Sequence, residues 1–200
     1  MHIILDYGLG NTASVLKAVE AAGFQGKISR DKELLKQAKT VILPGVGSFR
    51  DAMSRLHNLG LVSLLNDLIL KEKKKFLGIC LGMQLLGELG FEDGETAGLG
   101  WISGNIKRIP DHGQRIPHMG WNDIEITPDS SVGELNDSNF YFMHSYFFEA
   151  DPSTITSTVN YGEKLTATVQ SANIFGAQFH PEKSQSSGLA YLKFVLEYRC

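Results

Sequence analysis

A chain of 200 residues, 42% hydrophobic and 20% charged, has the makeup of a globular protein large enough to bury roughly 70% of the surface its unfolded form exposes. Its net charge of −3 argues against nucleic acid or an anionic membrane as a partner, and no apolar run approaches the roughly 18 residues of a membrane span. Cys80 and Cys200 are too few for a disulfide framework, and the first residues carry no charged segment followed by a long apolar one. One soluble, unprocessed domain over 1–200, in a reducing cytoplasmic setting, is therefore expected.

In chain order, residues 2–7 predict a strand and Gly8-Leu9-Gly10-Asn11 a tight loop. A helix follows, capped by Asn11 or Thr12, with Val15, Leu16, Val19 and Ala22 on one face and Gly23 at its end. The loop reads as a structural turn: a dinucleotide fingerprint needs a third glycine, and position 13 is alanine. Residues 25–29 predict a second strand, 31–38 a short capped helix and 40–43 a fully buried third strand. After that strand come Pro44-Gly45-Val46-Gly47-Ser48 and two helical stripes, Phe49/Met53/Leu56/Leu59 and 61–70. The two glycines around Val46 let the backbone turn amides outward, the kind of donor an oxyanion needs. Lys71 to Lys75 is a short run interrupted by Glu72 and reads as a solvated helix end.

Residues 75–89 carry the most informative pattern. Phe76, Leu77 and Ile79 end a buried strand, and Met83, Leu85, Leu86 and Leu89 recur at helical spacing beyond it. Cys80 lies at the junction, flanked by Gly78 and Gly82, as the serine does in a G-x-S-x-G nucleophile elbow. Such a turn presents its side chain, and unpaired helix-start amides favour a thiolate there. Cysteine is also among the most buried residue types, so a nucleophile requires a base elsewhere.

Up to residue 89 the alternation argues for a mostly parallel, doubly wound α/β sheet. Beyond it, 101–109, 116–126, 140–148, 155–159, 165–170 and 174–179 predict strands that extend and edge that sheet, with turns at 110–111, 128–129, 151–152 and 161–162. A last helix carries Leu189, Leu192, Val195 and Leu196. His180 and Glu182 are separated only by Pro181, so an extended backbone sends both to one face, as a base and its orienter require. Together with Cys80 they supply nucleophile, base and carboxylate. His112, His118 and His144 lack clustered ligand spacing, so no metal is expected.

Gly-Ile-Cys-Leu-Gly-Met-Gln at 78–84, Pro-Gly-Val-Gly at 44–47 and His-Pro-Glu-Lys-Ser at 180–184 resemble the signature of class I, triad-type glutamine amidotransferases. Asp-Tyr-Gly-Leu-Gly-Asn at 6–11, Pro-His-Met-Gly-Trp-Asn at 117–122 and Tyr-Phe-Met-His-Ser-Tyr at 141–146 resemble, within that class, the glutaminase subunits of imidazole glycerol phosphate synthases. The likeness spans nearly the whole chain. It implies the single-domain class I amidotransferase fold: a flavodoxin-like, mostly parallel sheet extended by antiparallel strands, with flanking helices.

By the same resemblance Cys80 is the nucleophile, His180 the base and Glu182 its orienter, with the Val46 and Leu81 amides as oxyanion hole. Gly47, Gln84, Ser145 and Tyr146 are the implied glutamine contacts, and Asn11, Trp121, Asn122, Tyr141 and Lys183 candidates for a docking face. The implied reaction is hydrolysis of L-glutamine to glutamate and ammonia without metal or organic cofactor. The ammonia would pass to a cyclase subunit with a (β/α)8 barrel, forming a heterodimer that makes imidazole glycerol phosphate and aminoimidazole carboxamide ribonucleotide in histidine biosynthesis. Docking is expected to switch the activity on by turning the Val46 peptide into donor position. Met143 and residues 91–96 depart from the family pattern and are expected to lie away from the chemistry. Three other readings share the central motifs: a glutaminase serving a sugar-amidating enzyme, a non-catalytic binding module on this fold, and a cysteine peptidase or amidase.

Overall fold

The computed structural model describes residues 1–128, 130, 135 and 138–199. Cys200 and Asp129, the latter in an expected turn, lie outside the described residues. Strands β1 (His2–Leu5), β2 (Gly26–Ser29), β3 (Thr40–Gly45) and β4 (Lys75–Cys80) are parallel in the order β2-β1-β3-β4, and β13 (Ile174–Ala177) joins beside β4, also parallel. This is the doubly wound order in which ligands meet the carboxyl ends of the strands. The sheet continues antiparallel through β12 (Glu163–Ser171), β11 (Ile155–Tyr161), β8 (His118–Ile126) and β9 (Asn139–His144).

Side-chain alternation assigns the two faces of the parallel strands. Ile3, Leu5, Val41, Leu43 and Phe76 join one core, with Phe49, Ala52, Met53 and Leu56 of α3 (Phe49–Asn58) and Leu61 and Leu65 of α4 (Leu61–Asn66). Leu35 of α2 (Lys32–Gln37) enters the same core. Ile4, Ile42, Leu77 and Ile79 join the other, with Val15 and Val19 of α1 (Thr12–Ala21) and Leu192, Val195 and Leu196 of α6 (Gln185–Glu197). Burial of apolar side chains on both faces explains why these strands are near-continuous apolar runs. The Asn11 cap matches expectation, its side chain accepting from Ser14 N at 3.2 Å; Ser48 caps α3, its Oγ accepting from Asp51 N at 3.2 Å.

Three expectations are corrected. Helix α5 spans only Leu81–Gln84, and Leu89 begins a strand, β5 (Leu89–Gly90). Leu85 and Leu86 are buried in the turn that follows the helix, so their apolar spacing reports burial without a continuing helix. The run 140–148 is not one strand: it breaks at Ser145 into β9 and β10 (Tyr146–Ala150), which enter different sheets. Finally, β10, β7 (Gly104–Arg108), β5 and β6 (Thr96–Ala97) form a separate four-stranded sheet, so the second half does not simply edge the first one. Ile106 and Phe148 pack this small sheet onto the core that holds Leu85 and Leu86.

Candidate active site

Cys80 is the last residue of β4 and the residue before α5, with φ 54 and ψ −112, a backbone conformation rare for any residue but glycine. Close approach on both sides explains its glycine neighbours. A Cβ on Gly78 would lie 2.4 Å from the Gly82 carbonyl oxygen, and one on Gly82 would lie 1.9 Å from that of Leu43. The tight turn thus presses α5 against β3 and directs the thiol into a cavity of about 360 Å³. Gln178 Nε2 stands 3.6 Å from Cys80 Sγ, and the Met143 carbonyl oxygen 3.8 Å away.

The parallel pairing of β13 with β4, Ala177 against Ile79, explains how residues so distant in sequence meet. Gln178 follows beside Cys80, and His180 two residues on lines the same cavity. Strand β9 returns to this point: its Tyr141 carbonyl accepts from His180 N at 2.9 Å. His180 Nδ1 and Glu182 Oε1 are 2.8 Å apart, with both side chains about 3% exposed. The pair forms through a 3-10 turn at Pro181–Lys183, not through the extended backbone expected from sequence. Among the described residues His180 Nε2 makes no hydrogen bond of full geometry, so it is left to the thiol and the cavity.

Burial alone would lower the His180 pKa, but the nearby Cys80 and the Glu182 carboxylate, hydrogen-bonded at Nδ1, together raise it to about 10. A protonated imidazole flanked by two potential anions is a stable arrangement at neutral pH. Such a site can generate a nucleophilic sulfur and hold a proton for a leaving group.

Among the other expected site residues, Val46, Gly47, Leu81, Gln84, Ser145 and Tyr146 all line the cavity. Leu81 is the first residue of α5, and its amide has no acceptor within the helix. Gly47 has φ 105, with open space where a Cβ would be, so conformation rather than crowding calls for glycine. Gln84 turns its Nε2 to the Tyr146 carbonyl at 2.9 Å and to Gln178 Oε1 at 2.9 Å. It therefore braces the wall between Tyr146 and Gln178.

Trp121 and Tyr141 are register partners on β8 and β9, their rings 6.2 Å apart, and Lys183 Nζ lies 5.5 Å from the Tyr141 ring centre. Asn11 follows β1 and Lys183 follows β13, so both stand at the carboxyl edge of the parallel strands. Asn122 points the other way. Alternation along β8 puts it opposite Trp121, with Nδ2 on the Asn160 carbonyl at 3.0 Å. At 47%, 59% and 39% exposed, Trp121, Met119 and Val46 form an apolar rim, the last two lining the cavity itself.

Some residues escaped sequence reasoning. Gln178 had a signal, since it stands two residues before His180 in extended chain. Glu92 had none: it lines the cavity and accepts from Phe49 N at 2.8 Å, so segment 91–96 does not lie away from the site. Neither does Met143, whose carbonyl faces the thiol. His118 and His144 pair with each other at 3.0 Å, whereas His112 lies 3.6 Å from Glu163.

A family model for class I glutamine amidotransferases matches residues 3–196. The chain is 42% identical over 200 residues to the imidazole glycerol phosphate synthase subunit HisH of Streptococcus sanguinis, covering 99% of this chain and 96% of that one. It is 45% identical over 195 residues to the subunit of the same name from Lacticaseibacillus casei, covering 96% and 93%. A solved structure of a glutamine amidotransferase superposes with a TM-score of 0.76 at 19% identity, covering 97% of each chain. The structure of PurLQS from Thermotoga maritima gives 0.73 at 21% identity, covering 98% and 97%. These two likenesses concern the fold.

Proposed function

The chain belongs to the class I glutamine amidotransferase family, and from that premise we propose that it is the glutaminase subunit of an imidazole glycerol phosphate synthase. The observation that carries the glutaminase chemistry is the buried His180–Glu182 pair beside a thiol held in a strained elbow at a cavity, and the 42% and 45% identity to subunits named for that synthase supports this acceptor. Cys80 attacks the side-chain carboxamide of L-glutamine. The resulting oxyanion is held by the Val46 and Leu81 amides, each donor of this kind contributing about 3 kcal/mol in related acyl-transfer enzymes. His180 gives its proton to the departing nitrogen, ammonia leaves, and a γ-glutamyl thioester remains on Cys80. Water activated by His180 hydrolyses it to glutamate. The reaction balances with protein groups and water alone, so no cofactor enters the proposal.

Gly47, Gln84, Ser145 and Tyr146, which line the cavity, receive the glutamine in this proposal. The ammonia passes to a cyclase subunit with a (β/α)8 barrel, docked as a heterodimer on the rim of Val46, Met119 and Trp121 together with Asn11, Tyr141 and Lys183. The pair is proposed to be cytoplasmic; among the described residues no helix is long and apolar enough to cross a membrane. The test is synthesis of imidazole glycerol phosphate by the two subunits together. Glutamine should support it with the wild-type chain and fail with Cys80→Ala, while added ammonium should support it with either. Synthesis from glutamine by the Cys80→Ala complex would overturn the proposal, as would no synthesis from glutamine with any cyclase subunit.

A further inference from the structure

Two buried histidines outside the triad lie on one hydrogen-bonded path that ends at the cavity wall. His118 opens β8 and His144 closes β9, and they are register partners. His118 Nδ1 and His144 Nε2 are 3.0 Å apart, His144 Nδ1 is 2.9 Å from the Tyr146 carbonyl oxygen, and Asn122 Nδ2 is 3.3 Å from His118 Nε2.

The direction of every bond follows from its two ends. At the inner end a carbonyl oxygen can only accept, so His144 carries its hydrogen on Nδ1 and, when neutral, offers a lone pair at Nε2. His118 must then donate from Nδ1 and accept at Nε2. At the outer end the Asn122 amide is fixed independently: its Oδ1 accepts from Asp123 N at 3.0 Å and its Nδ2 donates to the Asn160 carbonyl at 3.0 Å. The second Nδ2 hydrogen is therefore free for His118 Nε2. Both ends require the same polarity, and both rings must be Nδ1–H tautomers.

The surroundings hold the rings still and uncharged. His118 lies between Phe142, with centres 4.7 Å apart at 19°, and Tyr161, 3.9 Å apart at 23°. Tyr161 is itself anchored by its hydroxyl on the Arg115 carbonyl at 2.6 Å. Burial lowers the His118 pKa to about 4, and burial, with the neighbouring His118 and His180, lowers that of His144 to about 3. The Tyr146 carbonyl takes a second bond from Gln84 Nε2 at 2.9 Å, and the Ser145 carbonyl accepts from Ile109 N at 2.9 Å. Bonds from three separate segments thus converge on Ser145 and Tyr146, where β9 gives way to β10.

We propose that His118 and His144 form a one-directional relay, Asn122 to His118 to His144 to the Tyr146 carbonyl, that sets the Ser145–Tyr146 backbone for glutamine. His118 is not among the residues lining the cavity, so it acts through His144 as a positioning residue. The substrate named here rests on the glutaminase reading; the relay itself does not.

Nuclear magnetic resonance of the full chain with 15N-labelled histidine distinguishes the tautomers directly. At neutral pH both rings should be neutral with hydrogen on Nδ1; an Nε2–H tautomer or a protonated ring at either position would overturn the relay. In His118→Leu the His144 signal should move to a mixture of tautomers. The glutamine KM of that variant, measured with the cyclase subunit present, should rise about tenfold while kcat stays within about threefold. His118→Asn, which offers an amide N–H where Nδ1 stood, should return KM to within about threefold of wild type. A loss confined to kcat, or no change in His118→Leu, would refute the positioning role. Nδ1–H tautomers in a chain that hydrolyses no glutamine would instead refute the glutaminase reading alone.

Discussion

His180 Nδ1 and Glu182 Oε1 are 2.8 Å apart, and that one contact fixes which nitrogen of His180 is available to Cys80. The carboxylate orients the ring and stabilises its charged form. Replacing Glu182 with Gln keeps an acceptor but removes the charge. It should lower kcat roughly 10- to 100-fold, short of the larger losses seen when an orienter enforces the wrong tautomer. The sign of the pH effect is also set. Loss of an anion lowers the raised His180 pKa, so the basic limb of the kcat/KM profile should move down by about one unit or more. The pH profiles of the two proteins, measured side by side, check both expectations.

The elbow glycines separate crowding from conformation. Gly82→Ala sets a methyl group 1.9 Å from the Leu43 carbonyl oxygen, which rigid backbone on both sides cannot relieve. A loss of stability of about 3 kcal/mol or more is expected, large enough to abolish soluble expression of a marginal domain. Gly47→Ala meets no atom within 4 Å but must adopt φ 105. It should cost only about 1–2 kcal/mol of stability while reducing glutaminase activity more than tenfold through a misplaced Val46 amide. Denaturant melts should therefore show the larger loss in Gly82→Ala, while the turnover of folded Gly47→Ala should fall further than its melt accounts for.

Much of this was legible because local chemistry and local geometry coincide. Gly78, Cys80 and Gly82 signal the elbow, and His180 with Glu182 signals a base and its orienter, each within a few residues. Parallel pairing of β13 with β4 then joins them. What stayed hidden depends on distant partners. The break at Ser145 falls inside an apolar stretch with no glycine or proline, and it exists because Tyr146 pairs with Arg108 in the second sheet. Leu89 fits a helical stripe yet pairs with Asn105. Glu92 lines the cavity while accepting from Phe49 N across 43 residues.

Acid should destabilise the fold through its buried histidines. His2, His118 and His144 have pKa values lowered chiefly by burial, to about 4, 4 and 3, from an ordinary value of 6.5. Each therefore contributes stability that is full above pH 6.5 and is lost as pH falls toward its folded value, because the unfolded chain binds the proton first. For fully buried His144 the slope approaches about 1.4 kcal/mol per pH unit in that window. Urea melts from pH 7 to pH 4.5 should show a steeper decline for wild type than for His144→Asn. Parallel declines would refute the assignment.

The exposed aromatic on β8 tests the docking face. Trp121 is half-exposed, and its ring is braced edge-on by Tyr141, with Lys183 beyond. Truncating an aromatic anchor at the centre of an interface costs 2 kcal/mol or more, about a 30-fold loss of affinity. Trp121→Ala should weaken binding to the cyclase subunit by that much in a titration while leaving the melting of the isolated chain within a few degrees. Asn122→Ala, on the opposite face of the strand, should weaken binding far less.

In the proposed reaction Cys80 is a nucleophile made competent by His180 for a glutamine side chain. The most direct test is mass spectrometry of the two-subunit complex after exposure to a glutamine-like electrophile. One adduct per chain is expected, located on Cys80, slowed by competing glutamine and nearly absent in His180→Ala. An unlabelled Cys80, or labelling at an equal rate in His180→Ala, would contradict this role.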